Sequence, residues 1–460
     1  MAALWSDLPP ETRHPDKQDV MPTPNTTQVK NRSCLEDPET EFRTPAKCGA
    51  SGGRPYRLAV LLSHPVQYFS PLFRRLAEQP EIDLTVLYCS LQGARTMKDP
   101  GFGVSFAWDI PLLDGYRYKE LRNCWRGQLK GFFSCINPGV VTELGRGTYD
   151  AVIIFGWGDF TSWLAFAGAR LAGIPWMLYG DTNVLQEKTK KGLKSLLRKL
   201  ILTTLFNNTF AFLASGSFNR AFYEGMGAPA DRCFGVPMAI DNDSYVEGAR
   251  LARARREETR AEYGIPPDLT LLLFSGKLAP HKRPQDLLEV LEILQADFPR
   301  LGAVLAGDGV LRESLQREAA RRKIANVFFL GFRNQTELPQ IYACADCLVL
   351  PSSTEARGLA VNEAMACGLP VIVSDRTGVW GPGDIARHGE NGFVYPCGDV
   401  DALAEAIRKL ALDPDLRQRM GRRSLEIIRD FGYEKCVGGI LKALNSVVYP
   451  GGASVMADHA

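Results

Sequence analysis

Short apolar runs alternate with amphipathic, helix-forming stretches twice along this chain of 460 residues. Continuous apolar runs are typical of parallel strands that are covered by helices on both faces. The clearest runs occupy residues 56–63, 82–88, 149–155 and 175–179 in the first series, and 271–276, 301–306, 327–330, 347–350 and 371–374 in the second. The alternation predicts an α/β protein with two doubly wound parallel sheets.

The composition divides the chain into four parts. Residues 1–54 are polar and rich in proline, which predicts a disordered N-terminal tail. We assign residues 55–240 to a first Rossmann-like domain and residues 241–430 to a second. Residues 431–460 form a final helix that packs back toward the first domain, followed by a short tail. Because ligands of such sheets bind at the carboxyl ends of the strands, we expect a central cleft between the domains.

Charge and cysteine content exclude several classes of protein. The net charge is only +2, so no global field favours nucleic acid. The 11 cysteines are scattered and odd in number, which argues against a disulfide framework. Cys344 and Cys347 form a C-x-x-C pair, but no second pair lies at zinc-ligand spacing, so we interpret them as packing residues.

No secretory signal and no apolar run of about 18 residues is visible in the sequence. We therefore expect a cytoplasmic protein, with attachment to the inner face of the cell membrane as an open alternative. The alternative rests on residues 188–206, where a lysine-rich stretch leads into an apolar one. This segment predicts an amphipathic helix that either lies on an anionic membrane surface or packs with one solvated face.

Two loops of the second domain are suited to phosphate. Gly276-Lys277 follows a strand, and Lys282 comes shortly before Pro284, which marks a helix start. Two lysines on one strand-to-helix loop can converge on a diphosphate, since lysine binds phosphate as a point charge. A solvated basic loop is the alternative. The run Ala-Gly-Asp-Gly at residues 306–309 also follows a strand, and its glycines allow close approach of a ligand.

The most informative segment is Glu-Ala-Arg-Gly-Leu-Ala-Val-Asn-Glu at residues 355–363. It follows an apolar strand and leads into a helical run at residues 362–367, with Gly358 at the turn. Backbone N–H groups at such a helix start can hold an anion. Glu355 and Glu363 are poor phosphate ligands but good acceptors for hydroxyls of a sugar or a ribose. The combination predicts a nucleotide-sugar site.

In this order, the motifs resemble those of retaining glycosyltransferases of family 4, which have the two-domain GT-B fold. The resemblance rests on Gly276-Lys277 with Lys282, on Ala306 to Gly309, on Leu330-Gly-Phe332, and on Glu355 to Glu363 with the following Ala-Met-Ala-Cys-Gly-Leu-Pro-Val. It extends over roughly residues 56–445, and its specific motifs lie within residues 275–375.

The resemblance implies roles for individual residues. Lys277 and Lys282 would neutralise the donor diphosphate and assist its departure, and Glu355 would accept hydrogen bonds from the transferred sugar. Glu363 would hold the ribose hydroxyls, and Phe332 would lie along the nucleobase. Further donor contacts are implied for Gly276, Gly307, Asp308, Gly309, Gly358, Leu359 and Ala360.

One position departs from the family pattern. The residue before Gly358 is often aromatic in the family, and here it is Arg357. We expect Arg357 to be a solvent-facing loop residue.

The first domain adds candidates on the acceptor or sugar side. Residues 63–71 resemble an H-P-[VI]-Q-Y opening found in a bacterial subset of the family, and His64, Gln67 and Tyr68 would face the cleft. A helix-capping role is the alternative for His64. Asp181 follows a strand where relatives often carry a polar residue near the sugar. Asp159 is a weaker candidate, since aspartate is also a favoured helix N-cap.

The resemblance implies a hexosyltransferase that moves a sugar from a nucleoside-diphosphate donor to a saccharide or lipid-linked acceptor in cell-surface polysaccharide or glycoconjugate synthesis. No D-x-D motif follows a strand, so we expect neither a metal nor another cofactor. The lack of a paired nucleophile and acid favours front-face chemistry. A GT-B-fold sugar-nucleotide hydrolase or epimerase and a non-catalytic sugar-nucleotide-binding protein remain alternatives.

Overall fold

The structure is a computed structural model that describes residues 54–94, 97–98, 105–125, 127, 129, 131–187 and 193–448. Three parts of the predictions lie outside the described residues. They are residues 1–53 of the disordered tail predicted at residues 1–54, residues 188–192 of the amphipathic segment predicted at residues 188–206, and residues 449–460 at the predicted C-terminal tail. The domain boundaries stay predictions.

The strands of the described residues alternate with helices in the order that the apolar runs predict. They are β1 (Tyr56–Leu62), β2 (Ile82–Tyr88), β3 (Met97–Lys98), β4 (Ser105–Phe106), β5 (Tyr118–Glu120), β6 (Ala151–Phe155), β7 (Trp176–Gly180), β8 (Ala211–Ala214), β9 (Cys233–Gly235), β10 (Thr270–Ser275), β11 (Leu301–Ala306), β12 (Val327–Gly331), β13 (Cys347–Leu350), β14 (Val371–Ser374) and β15 (Gly392–Tyr395).

The helices are α1 (Ser70–Ala77), α2 (Gly139–Gly145), α3 (Phe160–Ala172), α4 (Val184–Glu187), α5 (Leu193–Asn207), α6 (Ser217–Gly225), α7 (Asn242–Arg253), α8 (Arg256–Glu262), α9 (Gln285–Leu294), α10 (Arg312–Arg321), α11 (Leu338–Cys344), α12 (Leu359–Ala366), α13 (Val400–Leu412), α14 (Pro414–Arg429) and α15 (Tyr433–Val448). Aspartates cap several of them. Asp159, Asp241, Asp399 and Asp413 each accept a backbone N–H from the first turn of α3, α7, α13 and α14.

Two parallel sheets form the framework. The first has the order β5-β2-β1-β6-β7-β8-β9 and the second the order β12-β11-β10-β13-β14-β15. In each sheet, the direction in which successive strands are added reverses beside its first strand. This point lies between β1 and β6 in the first sheet and between β10 and β13 in the second. Ligands of doubly wound sheets bind at such switch points, at the carboxyl ends of the strands. The predicted α/β class with two doubly wound sheets is confirmed.

Each sheet is buried on both faces, which explains the continuous apolar runs of its strands. In β1, Leu58 and Val60 face one buried cluster and Ala59 and Leu61 face another. In β10, Leu271 and Leu273 are likewise separated from Leu272 and Phe274. Successive residues of a strand therefore face different helix layers, and both layers are apolar. Because neither face of the sheet is polar, the strands appear in the sequence as continuous apolar runs.

The last helix crosses back to the first sheet. Cys436, Ile440 and Leu444 of α15 share a buried cluster with Leu58 and Val60 of β1. Among the residues that the structure describes, none of the helices has both the length and the apolar character needed to cross a membrane.

The C-x-x-C pair packs where the sequence suggests. Cys344 ends α11 and Cys347 begins β13, and both are buried free thiols. The interpretation as packing residues agrees with this placement.

Candidate active site

A cleft of about 360 Å³ lies between the two domains, at the carboxyl ends of the strands. Its walls are the loops that follow β1, β10, β11, β12 and β13. Of the residues predicted for the site, those that line it are His64, Gln67, Tyr68, Gly276, Lys277, Lys282, Gly307, Phe332, Glu355, Gly358, Leu359, Ala360 and Glu363. The topology thus brings together residues from both domains that are up to 299 positions apart (64 to 363).

The start of α12 faces this cleft. Gly358 is its N-cap and has a left-handed backbone with φ of 56°. A Cβ atom there would lie 2.7 Å from Leu350 Cδ2, so both the conformation and the space favour glycine. No side chain caps the helix. The N–H of Val361 donates to the carbonyl oxygen of Gly358, which leaves the N–H groups of Leu359 and Ala360 at the cleft for an anion, as the sequence predicts for this turn.

Glu355 and Lys282 form an ion pair across the cleft wall. Lys282 ends a short 3-10 helix, Pro280–Lys282, and its ammonium group donates to Glu355 Oε2. Both side chains are largely but not completely buried. Glu355 is therefore held in place by a cation, and its remaining lone pairs can still accept hydroxyl groups.

Glu363 lies at the inner end of the cleft and is almost fully buried. Tyr342 donates to its Oε2 at 2.7 Å, and Tyr68 of the first domain donates to its Oε1 at 3.0 Å. Burial raises the pKa of the Glu363 carboxyl, although the hydrogen bonds from both tyrosines oppose this shift. The bond from Tyr68 joins the two domains directly at the site.

Aromatic side chains form another wall. Phe332, which follows β12, stacks on Phe106 with ring centroids 4.3 Å apart and planes at 29°. Trp108 packs against both rings and lines the cleft. Sequence reasoning missed Phe106 and Trp108, because they lie in a segment without a strand or helix pattern. Two aromatic residues in alternate positions were the available signal.

His64 lines the cleft as a neutral group. Burial lowers the pKa of its imidazole, and its Nδ1 lies 2.8 Å from Ser63 Oγ. The uncharged imidazole can thus form one hydrogen bond with a ligand, as donor or as acceptor. Asp181 is not among the cleft-lining residues of the described chain. Desolvation raises the pKa of its carboxyl, and the negative charge of Glu355 adds to this shift.

Asp308 and Gly309 shape the wall from behind. Asp308 binds Arg312 through its Oδ2 at 2.6 Å and accepts the N–H of Gly309 at 2.8 Å. A Cβ atom on Gly309 would lie 2.6 Å from the carbonyl oxygen of Leu278. Neither residue lines the cleft in the described part of the chain.

The prediction for Arg357 was wrong. Arg357 is not solvent-facing, since only 4% of its side chain is exposed. It donates to the carbonyl oxygen of Gly378 at 2.7 Å and pairs with buried Asp384 at 3.5 Å. Asp384 also accepts from Ser217, through the backbone N–H at 3.2 Å and the hydroxyl at 2.7 Å. Because Ser217 belongs to the first domain, Arg357 takes part in a contact between domains.

Comparison with known proteins gives a family match within the second domain. Residues 255–426 match the family model of group 1 glycosyl transferases. This range contains Lys277, Lys282, Glu355 and Glu363. Over 204 residues, the chain is 34% identical to a D-inositol 3-phosphate glycosyltransferase of Streptomyces bingchenggensis. That match covers 41% of this chain and 44% of the relative, so the chain spans less than half of the relative's length.

Two solved structures resemble the whole fold. Anabaena Alr3699/HepE in complex with UDP-glucose has a TM-score of 0.64, 18% identity and coverage of 85% of this chain and 99% of that chain. WaaG, a glycosyltransferase involved in lipopolysaccharide biosynthesis, has a TM-score of 0.57, also with 18% identity and coverage of 85% and 99%. At this identity the likeness is one of fold, and the predicted GT-B arrangement is confirmed.

Proposed function

We propose that this protein is a retaining, metal-independent glycosyltransferase that uses a nucleoside-diphosphate sugar. The observation that carries the proposal is the set of residues that line the cleft. It holds two lysines, a helix start without a side-chain cap, and two glutamates, all within the range matched by the group 1 family model. A diphosphate, a ribose and a hexose require cations, N–H donors and carboxylate acceptors in this combination.

In the proposed complex, Lys277, Lys282 and the first N–H groups of α12 hold the diphosphate. Glu355 accepts hydroxyls of the sugar, and Glu363 accepts those of the ribose. A ribose hydroxyl would replace Tyr68 as donor to Glu363 Oε1, so donor binding would alter a contact between domains. Phe332, Phe106 and Trp108 offer rings against which a nucleobase could pack.

The proposed transfer proceeds on one face of the sugar. The bond between the anomeric carbon and the diphosphate oxygen breaks, and its electron pair leaves with the diphosphate. The acceptor oxygen forms the new bond on the same face, and its proton passes to the departing phosphate oxygen. Lysine charges and helix-start dipoles stabilise the charge that develops on the leaving group. UDP-glucose is the first donor to test, since HepE binds it in a similar fold.

The test is donor binding by wild type and by Glu363→Gln, with UDP-, GDP-, ADP- and dTDP-sugars. Glu313→Gln serves as the matched control on the exposed face of α10. A hydrogen bond to a charged group contributes about 1.5–3 kcal/mol, so we expect roughly a 10- to 100-fold loss of affinity in Glu363→Gln. Release of free sugar at full rate without acceptor would support a hydrolase. Failure to bind any donor would support a non-catalytic protein.

We further propose that the acceptor is a saccharide or a lipid-linked glycan of cell-surface polysaccharide or glycoconjugate synthesis, reached from the cytoplasmic face of the membrane. The supporting observation is α5, where Leu196 and Leu200 are each 65% exposed and Leu197 is 44% exposed beside Lys199. Exposed leucines next to basic residues favour binding to an anionic bilayer.

Co-sedimentation with vesicles of phosphatidylglycerol and phosphatidylcholine tests the membrane contact. The double variant Leu196→Ser/Leu200→Ser should lose binding. Leu171→Ser, which changes an 82% exposed leucine on α3, should keep it. Equal binding by all three proteins would refute the role of α5 and leave a soluble saccharide as the favoured acceptor.

A further inference from the structure

Cys89, Cys135 and Asp159 form a cluster of metal-ligating side chains outside the cleft. Cys89 follows β2, Cys135 follows the 3-10 helix Phe132–Ser134, and Asp159 begins α3. One ligand atom from each residue lies within 4.8 Å of the other two, and both cysteines are buried. None of the three lines the cleft in the described part of the chain. The cluster therefore requires an explanation separate from donor binding.

The spacing suits one tetrahedral ion. Zinc binds sulfur at about 2.3 Å and carboxylate oxygen at about 2.0–2.2 Å, which sets neighbouring ligand atoms roughly 3.5–3.8 Å apart. Thiolates select zinc over magnesium or calcium. Two thiolates and one carboxylate would also balance most of their charge against a divalent cation. The set leaves one coordination position for water.

The ligands are held by surrounding hydrogen bonds. Both carboxylate oxygens of Asp159 accept from Ser162, at 2.9 Å from its N–H and 3.0 Å from its hydroxyl. Buried Asn137 donates to the carbonyl oxygen of Cys89 at 2.9 Å, and the N–H of Thr161 donates to that of Cys135 at 3.2 Å. Asn137 and Thr161 are joined by two further hydrogen bonds. Such outer partners fix ligand orientation before a metal arrives.

We propose that Cys89, Cys135 and Asp159 bind one zinc ion that joins the loop after β2 to the start of α3. The three ligands come from three segments at the carboxyl edge of the first sheet, which the ion would tie together. Gly93, a few residues beyond Cys89, packs on His64 and Pro65 at the cleft. A metal here would thus brace a wall of the cleft without touching the donor.

The test uses the full chain, stripped of metal with a chelator under reducing conditions and titrated with Zn²⁺ or Cd²⁺. We expect about one equivalent bound, ultraviolet thiolate-to-cadmium absorbance, and a rise in Tm. Cys135→Ser should lose that equivalent, whereas Cys124→Ser, which changes an exposed thiol, should retain it. Equal binding by wild type and Cys135→Ser would overturn the proposal, whatever the outcome of donor binding.

A second measurement needs no variant and remains informative if Cys135→Ser folds poorly. Iodoacetamide labelling of metal-stripped wild type, in urea below the unfolding transition so that the buried thiols are exposed by local opening, is mapped by mass spectrometry with and without Zn²⁺. Zn²⁺ should protect Cys89 and Cys135 but not Cys124. Labelling that Zn²⁺ does not change, or a Cys89–Cys135 disulfide in protein freshly isolated without reductant, would refute the site as a zinc site.

Discussion

Arg357→Met tests whether a buried ion pair holds the loop that carries Glu355 and the two domains together. The substitution keeps an unbranched side chain of similar reach and removes the guanidinium charge. It leaves the Asp384 carboxylate, which is only 3% exposed, without its cation. Asp384 keeps the two hydrogen bonds from Ser217. Gly378 loses the donor to its carbonyl oxygen.

The structure sets the expected magnitude. Removing one partner of a buried ion pair usually costs about 3–5 kcal/mol. Three features reduce that cost here. The charged atoms are 3.5 Å apart, and Ser217 still donates to Asp384 in the variant. The buried Arg357 Nε has no hydrogen-bond partner among the described residues, so the change to methionine also removes an unsatisfied donor. We therefore expect a loss of about 2–3 kcal/mol in the free energy of unfolding.

Urea unfolding followed by intrinsic fluorescence measures this loss, with each transition fitted separately because the two domains need not unfold together. Arg423→Met is the matched control, since Arg423 pairs with Glu390 and Glu426 on the surface of α14. We expect it to have little effect. Adding Asp384→Asn to Arg357→Met should recover part of the loss, because the uncompensated charge is then removed. If Arg357→Met and Arg423→Met unfold alike, the ion pair does not stabilise the interface.

Two further predictions concern the same surfaces. Because the pKa of Glu363 is raised in the folded protein, its stabilising contribution is full below the unfolded value near 4.5 and falls as pH rises through the folded pKa. Wild type should therefore lose stability relative to Glu363→Gln as the pH rises above about 4.5, and a constant difference in unfolding free energy would contradict this. Gly216→Ala should destabilise the protein by roughly 1–3 kcal/mol, since its Cβ would lie 1.9 Å from Arg357 Nη1. Gly235→Ala, with open space at its Cβ, is the control, and equal midpoints in thermal denaturation would exclude the clash.

Much of the fold could be predicted from short stretches of sequence, because the residues of each strand determine whether that strand can be buried. Strands buried on both faces must be apolar throughout, and β2, β11, β13 and β14 have the bounds that their apolar runs predict. Helix bounds were less accurate, as in α12, which begins at Leu359 rather than at Asn362. Because Gly358 adopts a left-handed backbone, the chain can turn there and start the helix at the next residue. Six strands were not predicted. The strands β3, β4, β5 and β9 have only two or three residues, whereas β8 and β15, with four residues each, were missed although they are as long as β13.

The site was predictable as far as topology alone places it. Residues on loops that follow neighbouring parallel strands must meet at one edge, so Lys282 and Glu355 were expected together. Which groups would pair was not predictable, because that depends on side-chain reach across the cleft. The observed partner of Glu355 is Lys282, and the sequence did not predict this ion pair.

Arg357 shows where such reasoning ends. Arg357 is buried because it pairs with Asp384 and because Gly216 of the first domain has no side chain to fill the same space. Neither contact can be inferred from the sequence alone. The loop that carries Glu355 and Gly358 is therefore held by a contact between domains, through Arg357, Asp384 and Ser217. A displacement of the domains would reach Glu355 through Arg357, and it would reach Glu363 through Tyr68. Both proposed sugar-binding carboxylates thus depend on first-domain residues, which ties donor binding to the relative position of the two domains.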